Sequence, residues 1–146
     1  MSLTYKSAAT EDISVIFSLC KALIDAYEDV SNIDYEMVLK WVKNKITENI
    51  FQYTCVFLND TKVGYFHLQH GGETELDDFY ILPEYRGRGI GTEVLSYCIK
   101  QTNSPLFLYV FRRNTGAIKL YNRMGFYISQ EVGNTRLIMR REVDNR

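Results

Sequence analysis

The 146 residues, 46% hydrophobic and 14% aromatic, suit one globular domain with a substantial core, and two domains would be cramped. A formal charge of -1 supplies no global basic field for nucleic acid and no acidic block of the disordered kind. No apolar run approaches the roughly 18 residues that span a bilayer, and MSLTYKSAATEDIS lacks the apolar segment of a signal peptide, so a cytoplasmic chain without membrane or nucleic-acid partners is expected.

Leu3–Ala8 reads as a short opening strand, and Thr10 as the cap of a helix whose apolar positions Ile13, Ile16, Phe17, Cys20, Leu23 and Ile24 follow helical spacing. A second helix is expected after Asp34, with Met37, Val38, Trp41, Val42 and Ile46 on one face. The texture then changes to three strand-like runs, FQYTCVFLN, KVGYFHLQH and TELDDFYIL, separated by the turn signals NDT and GGE, which predicts an antiparallel meander.

After Pro83 the stretch YRGRGIGTEVL opens a helix with Ile90, Val94, Leu95, Cys98 and Ile99 at helical spacing, and PLFLYVF follows as a buried strand. Strand, helix and strand make a crossover unit. Asn114 caps a further helix ending at Gly125, and YISQEVG with TRLIMRREV closes the chain as an antiparallel pair turning at Gly133-Asn134. The sum is an α/β chain, with a mixed, mostly antiparallel sheet of about six to seven strands flanked by about four helices.

Cys20, Cys55 and Cys98 lie apart with no CxxC or CxxH pairing, and His67 and His70, three apart on a strand and its turn, make a poor metal pair. Buried free thiols, surface or packing histidines and no metal site are expected.

The chemistry concentrates at the glycine-rich turn. A helix amino terminus leaves backbone N–H groups unpaired and adds partial positive charge, so it is a natural phosphate site. Gly87, Gly89 and Gly91 remove the side chains that would keep an anion off this backbone, while Arg86 and Arg88 add formal charge. A Walker A loop is set aside because no Gly-Lys-Ser/Thr follows. A dinucleotide fold fits poorly, since the turn follows a meander and no acidic residue ends the next strand. A surface turn with incidental arginines would need none of these features together.

Arg86-x-x-Gly89-x-Gly91, between the strand DDFYILPEY and an amphipathic helix, resembles the acetyl-CoA-binding motif of the GCN5-related N-acetyltransferases, the GNAT superfamily. NTGAIKLYNRMGF, with Asn114, Ala117, Tyr121, Gly125 and Phe126, resembles that family's later segment. The order of elements matches along nearly the whole chain, but the specific motifs occupy only Glu75 to Phe126.

The resemblance implies an acetyl-CoA-dependent N-acetyltransferase acting on a primary amine by direct attack in a ternary complex. It implies that backbone N–H groups of Gly87, Arg88, Gly89, Ile90, Gly91 and Thr92 hold the pyrophosphate of coenzyme A. Backbone groups around Phe79, Tyr80 and Ile81 would pair with its pantetheine arm, which enters a gap between splayed strands. Asn114 caps its helix and would also touch the arm, beside Ala117.

Amide formation needs a neutral amine, and a lysine-like amine with a pKa near 10.4 calls for a proton acceptor. Alternation places Glu75 and Asp77 on one face and Asp78 on the other. Glu75 is the first candidate base by its family position. Asp77 and Asp78 are candidates for base or amine recognition, with a plain solvated rim as the other reading of all three. Tyr121 occupies the family's position for the acid that protonates the departing thiolate, although its spacing also suits a core tyrosine. Cys98, on the apolar helix face, is a poor nucleophile.

A noncatalytic acyl-CoA-binding regulatory domain of the same fold is the competing function, and a nucleotide binder unrelated to coenzyme A a weaker third. The acidic strand and the many tyrosines fit a cationic acceptor, be it a small metabolite, a drug, a polyamine or a protein amino group. Monomer and homodimer both stay open.

Overall fold

In the computed structural model, which describes residues 2–144, seven strands form a sheet in the order β1-β2-β3-β4-β5-β7-β6. They are β1 Leu3–Ser7, β2 Tyr53–Leu58, β3 Thr61–Gln69, β4 Thr74–Ile81, β5 Leu106–Phe111, β6 Tyr127–Val132 and β7 Arg136–Arg141. The helices are α1 Ile13–Tyr27, α2 Tyr35–Asn49, α3 Ile90–Lys100 and α4 Thr115–Arg123. All neighbouring strands are antiparallel except β4 and β5, which the α3 crossover joins in parallel.

The expected meander is β2-β3-β4. Its first turn places Asn59 at φ 55, a left-handed conformation that asparagine tolerates, and Gly133 does the same at φ 58 between β6 and β7. Asp34 caps α2 by accepting from the Met37 N–H, and Asn114 caps α4 by accepting from the Ala117 N–H.

Helices cover both faces of the sheet, so its strands alternate between two cores. Ile16 and Ile24 of α1 and Val42 and Ile46 of α2 pack on Tyr53, Cys55, Tyr65 and Tyr80. Val94, Leu95 and Cys98 of α3 and Tyr121 of α4 pack on Val56, Phe66, Leu76, Leu108 and Met139 of the other face. Each fully buried aliphatic side chain contributes about 1.5–3 kcal/mol.

One local expectation is corrected. Thr10 does not cap α1: a three-ten turn at Thr10–Asp12 intervenes, and the Asp12 carboxylate reaches back to accept from the Ala9 N–H at 2.8 Å. On α2, Met37 and Trp41 are 65% and 63% exposed. Val42 and Ile46 meet the sheet instead, so the buried stripe is narrower than the run of apolar residues.

Two departures from regular pairing shape the site. β4 and β5 pair only at Thr74 with Leu106 and Glu75 with Phe107, after which β4 continues along β3 and β5 along β7. The closed end is held by the Thr74 N–H donating to Pro105 O at 2.8 Å and by a 2.8 Å bond between the Thr74 and Ser104 hydroxyls. The second departure is a bulge: His67 of β3 pairs with Asp78 while Leu68 pairs with Leu76, which leaves Asp77 as an extra residue in β4.

Candidate active site

The V between β4 and β5 opens into a cleft of about 1130 Å³ walled by α1, α2, β4, β5, α4 and the turn before α3. That volume exceeds the roughly 300–1,000 Å³ of ordinary small-ligand pockets. From Leu76 to Ile81, the edge of β4 that faces β5 has no strand partner among the described residues, so backbone polar groups line one wall.

At one end lies the glycine turn. Gly87 at φ 77 and Gly89 at φ 81 adopt left-handed conformations that other residues take only under strain, and Gly89 is the residue that opens α3. The first helical bond runs from the Glu93 N–H to Gly89 O at 3.2 Å. Among the described residues no backbone acceptor meets the N–H groups from Gly87 to Thr92, so the turn presents a cradle of unpaired donors. Gly91 needs neither unusual φ nor tight packing, since a Cβ there would lie 3.7–3.8 Å from Ile81, Leu120 and Phe79.

The arginines divide. Arg86 lines the cleft and donates from Nε to Ile81 O at 3.0 Å, whereas the Arg88 guanidinium lies 5.3 Å from the centre of the Tyr85 ring. The Ile90 side chain is buried in the core, so only its backbone N–H serves the turn. Phe79, Ile81, Gly87, Gly91, Asn114, Ala117 and Tyr121 all contribute to the cleft wall.

Glu75, Asp77 and Asp78 come together on the wall facing α2. The expectation that Asp78 points to the opposite face from Asp77 is overturned by the bulge, which resets the alternation between them. Lys45 Nζ, from α2, lies 3.2 Å from an oxygen of each aspartate. Asp78 also accepts from the Tyr53 hydroxyl and, at 2.7 Å, from the Tyr80 hydroxyl, so this buried carboxylate is fully engaged. Asp77 accepts at 2.9 Å from the Nδ1–H of His67, and the buried Nε2 of that ring has no partner among the described residues.

These surroundings sort the three acids. Burial and the neighbouring Asp77 charge push Glu75 above the usual carboxyl range against the pull of Lys45. For Asp77 burial also works upward, but the His67 bond and the Lys45 ammonium outweigh it and hold the carboxyl below its ordinary value. Burial raises Asp78 despite Lys45 beside it. Lys45, although burial opposes its charge, is held above its usual value by Asp78 and Asp77. Glu75 alone of the three has no hydrogen bond or ion pair among the described residues.

Tyr121 packs between Phe126 and Phe79 with its ring tilted against both, at interplanar angles of 58° and 51° and centroid distances of 5.6 and 6.4 Å. Its hydroxyl has no hydrogen-bond partner among the described residues and Tyr121 lines the cleft, while burial, with Cys98 adding to it, raises the phenol above its normal value. The Cys98 thiol is buried and pushed up to about 12 by that burial, as its place on the apolar helix face predicts. No group of three His, Cys, Asp or Glu side chains among the described residues is arranged to hold a metal ion, and no described helix is long and apolar enough to cross a membrane.

A sequence profile of the Acetyltransferase (GNAT) family matches residues 16–126. The chain belongs to the GNAT family. The spermine/spermidine N(1)-acetyltransferase of Bacillus subtilis is 33% identical over 66 residues, 42% of this chain and 43% of that protein. An uncharacterised N-acetyltransferase of Methanocaldococcus jannaschii is 38% identical over 56 residues, 36% of this chain and 25% of that protein. The matches thus span from a quarter to under half of the length of these curated relatives.

Solved N-acetyltransferase structures share the fold. The PaiA N-acetyltransferase of Thermoplasma acidophilum, solved in complex with coenzyme A, superposes with a TM-score of 0.74 at 21% identity, covering 97% of this chain and 99% of that one. The ribosomal-protein-S18-alanine N-acetyltransferase of Escherichia coli gives 0.68 at 18% identity, covering 99% and 96%. The sheet order, the open V and the turn before α3 in this chain are therefore those of a GNAT fold.

The motifs do not reach Lys45, Trp41, Tyr53 and His67, which lie on α2, β2 and β3, outside Glu75 to Phe126. One signal was present: Lys45 falls four residues after Trp41, between Val42 and Ile46, a charge inside an otherwise apolar helix face. Two consecutive aspartates within a buried strand were the other, since one of them must either face a core or sit in a bulge.

Proposed function

We propose that the chain transfers an acetyl group from acetyl-CoA to a primary amine by direct attack of the amine within a ternary complex. The observation that carries this is the conjunction, along one cleft, of an unpaired N–H cradle at Gly87–Thr92, an open edge of β4 and an unpartnered carboxylate at Glu75. The cradle suits the pyrophosphate, and the open edge suits the amide-bearing arm of coenzyme A as an added strand. The likeness to a structure solved with coenzyme A supports the same assignment.

Acetyl-CoA supplies a thioester whose acyl carbon accepts the amine nitrogen: a C–N bond forms, the C–S bond breaks and coenzyme A leaves as a thiolate. Glu75 takes the proton that the amine must lose, directly or through one water, and its raised proton affinity improves it as a base near neutral pH. Tyr121, its hydroxyl without a partner among the described residues, donates a proton to the sulfur. Glu28, Glu75 and the ionised Asp77 together outnumber Lys45 on the α2 side of the cleft, so that wall attracts the cationic acceptor.

Calorimetric titration with acetyl-CoA, ATP and NAD, followed by a thiol-release screen over a panel of amines and peptides, tests this. Selective binding of acetyl-CoA and amine-dependent release of thiol are expected. Absence of coenzyme A binding would overturn the proposal, and binding without turnover on any amine would replace it with a noncatalytic acyl-CoA-binding domain.

A further inference from the structure

The wall of the cleft formed by β4, α2 and the end of α1 carries Glu28, Glu75, Asp77 and Asp78, and Lys45 is its one cation among the described residues. The Lys45 ammonium touches both aspartates, and one helical turn earlier the Trp41 ring stands 5.6 Å from Nζ. Carboxylates and an aromatic face are the usual surroundings of a bound organic ammonium. Here the protein fills them with its own side chain, and the ring above remains 63% exposed.

Hydrogen-bond satisfaction does not require that side chain. Were Lys45 withdrawn, Asp78 would keep the Tyr53 and Tyr80 hydroxyls and Asp77 would keep His67 Nδ1–H. What the ammonium supplies is charge, placed where the cleft would otherwise hold two uncompensated carboxylates next to Glu75. Glu75 and Asp77 stand two residues apart on one side of the strand, roughly 7 Å, a span that a short diamine bridges with one nitrogen at each.

We infer that Lys45 is a specificity-determining residue: its ammonium fills the place beside Asp77 and under Trp41 that the second ammonium of a dicationic acceptor would take, so the cleft favours monocationic amines. This rests on the amine-acceptor function proposed above. Removing the charge of Lys45 converts the wall into a receptor for diamines, while arginine at the same position preserves the exclusion.

The test is calorimetric titration of butylamine and 1,4-diaminobutane into the coenzyme A-loaded protein, with transfer kinetics on both amines in parallel. In Lys45→Gln the ratio of diamine to monoamine affinity, and of the corresponding kcat/KM values through KM, is expected to rise about tenfold over wild type. In Lys45→Arg it stays at the wild-type value. Asp77→Asn, which leaves Lys45 with less negative charge to balance, shifts the ratio severalfold the other way.

An unchanged ratio in folded Lys45→Gln, or an equal shift in Lys45→Arg, overturns the inference. If Lys45→Gln does not fold, Asp77→Asn decides alone, and an unchanged or diamine-favouring ratio there overturns it. Absence of transfer in wild type would sink the proposed activity, while the binding ratios would still settle the role of Lys45.

Discussion

Asp77 and Asp78 are consecutive in one strand, yet both carboxylates meet a single ammonium, Nζ of Lys45, at 3.2 Å. In an unbroken strand their side chains would leave opposite faces. The extra residue that β4 carries opposite His67 and Leu68 removes that alternation and gathers the acids on the wall facing α2. Their neighbours then separate them by role: Asp78 is sealed by two tyrosines and Lys45, Asp77 is held by His67 and Lys45, and Glu75 is left free.

That separation gives Glu75 a pH signature. A base acts when ionised, so activity falls as pH drops through the Glu75 pKa, which burial and Asp77 lift above the usual glutamate range. The acid limb of the kcat/KM profile should therefore lie above about 4.3, the ordinary value. Glu75→Gln should lower kcat by about 10²–10⁴-fold and abolish this limb. A profile in Glu75→Gln that keeps the wild-type limb would move the proton transfer to another group.

Tyr121→Phe separates chemistry from packing. The ring packs against Phe126 and Phe79, but the hydroxyl has no partner among the described residues, so its removal orphans no buried donor or acceptor there. Stability by urea unfolding should change by less than about 0.5 kcal/mol, while kcat falls about 10²-fold and coenzyme A affinity is retained. Loss of stability together with unchanged kcat would return Tyr121 to a packing role.

The meander, the crossover and the cap at Asn114 were legible in the sequence because each rests on local signals: turn residues at Asn59 and Gly133, helical spacing in α3, a capping side chain. The glycine turn was legible for the same reason. The wall facing α2 was not, since the bulge at Asp77 depends on how β3 pairs with β4, and the reach of Lys45 depends on how α2 docks on the sheet. The exposure of Trp41 is equally hidden, because helical periodicity records which residues share a face, not how wide a stripe the sheet covers.

Gly91 offers a variant in which binding and stability part. Its backbone is helical and a Cβ would make ordinary contacts at 3.7–3.8 Å with Ile81, Leu120 and Phe79, so Gly91→Ala should leave stability unchanged or raise it by up to about 1 kcal/mol. The added methyl intrudes on the cradle, and coenzyme A affinity by calorimetry should fall about tenfold. Gly87→Ala, at φ 77, should instead cost about 1 kcal/mol in stability. Equal coenzyme A affinity in Gly91→Ala and wild type would show that the pyrophosphate does not lie against this turn of α3.

Away from the cleft, Asp12 makes acid stability predictable. It is buried, 3% exposed, and accepts from the Ala9 N–H at 2.8 Å and, at 2.9 Å each, from Lys62 Nζ and the Tyr65 hydroxyl, fastening the start of α1 to β3. Burial opposes its charge, but the Ala9 N–H, Lys62 and Tyr65 prevail and hold its pKa below the ordinary 3.8. The unfolded chain then binds the proton more readily than the native one. The contribution is therefore present above the ordinary value and is lost as pH falls through the lowered native value. Asp12→Asn should destabilise by about 2–3 kcal/mol at neutral pH, measured by urea unfolding, and the gap to wild type should narrow below pH 4. A gap that stays constant from neutral to acid pH would show that Asp12 acts through shape and hydrogen bonding without its charge.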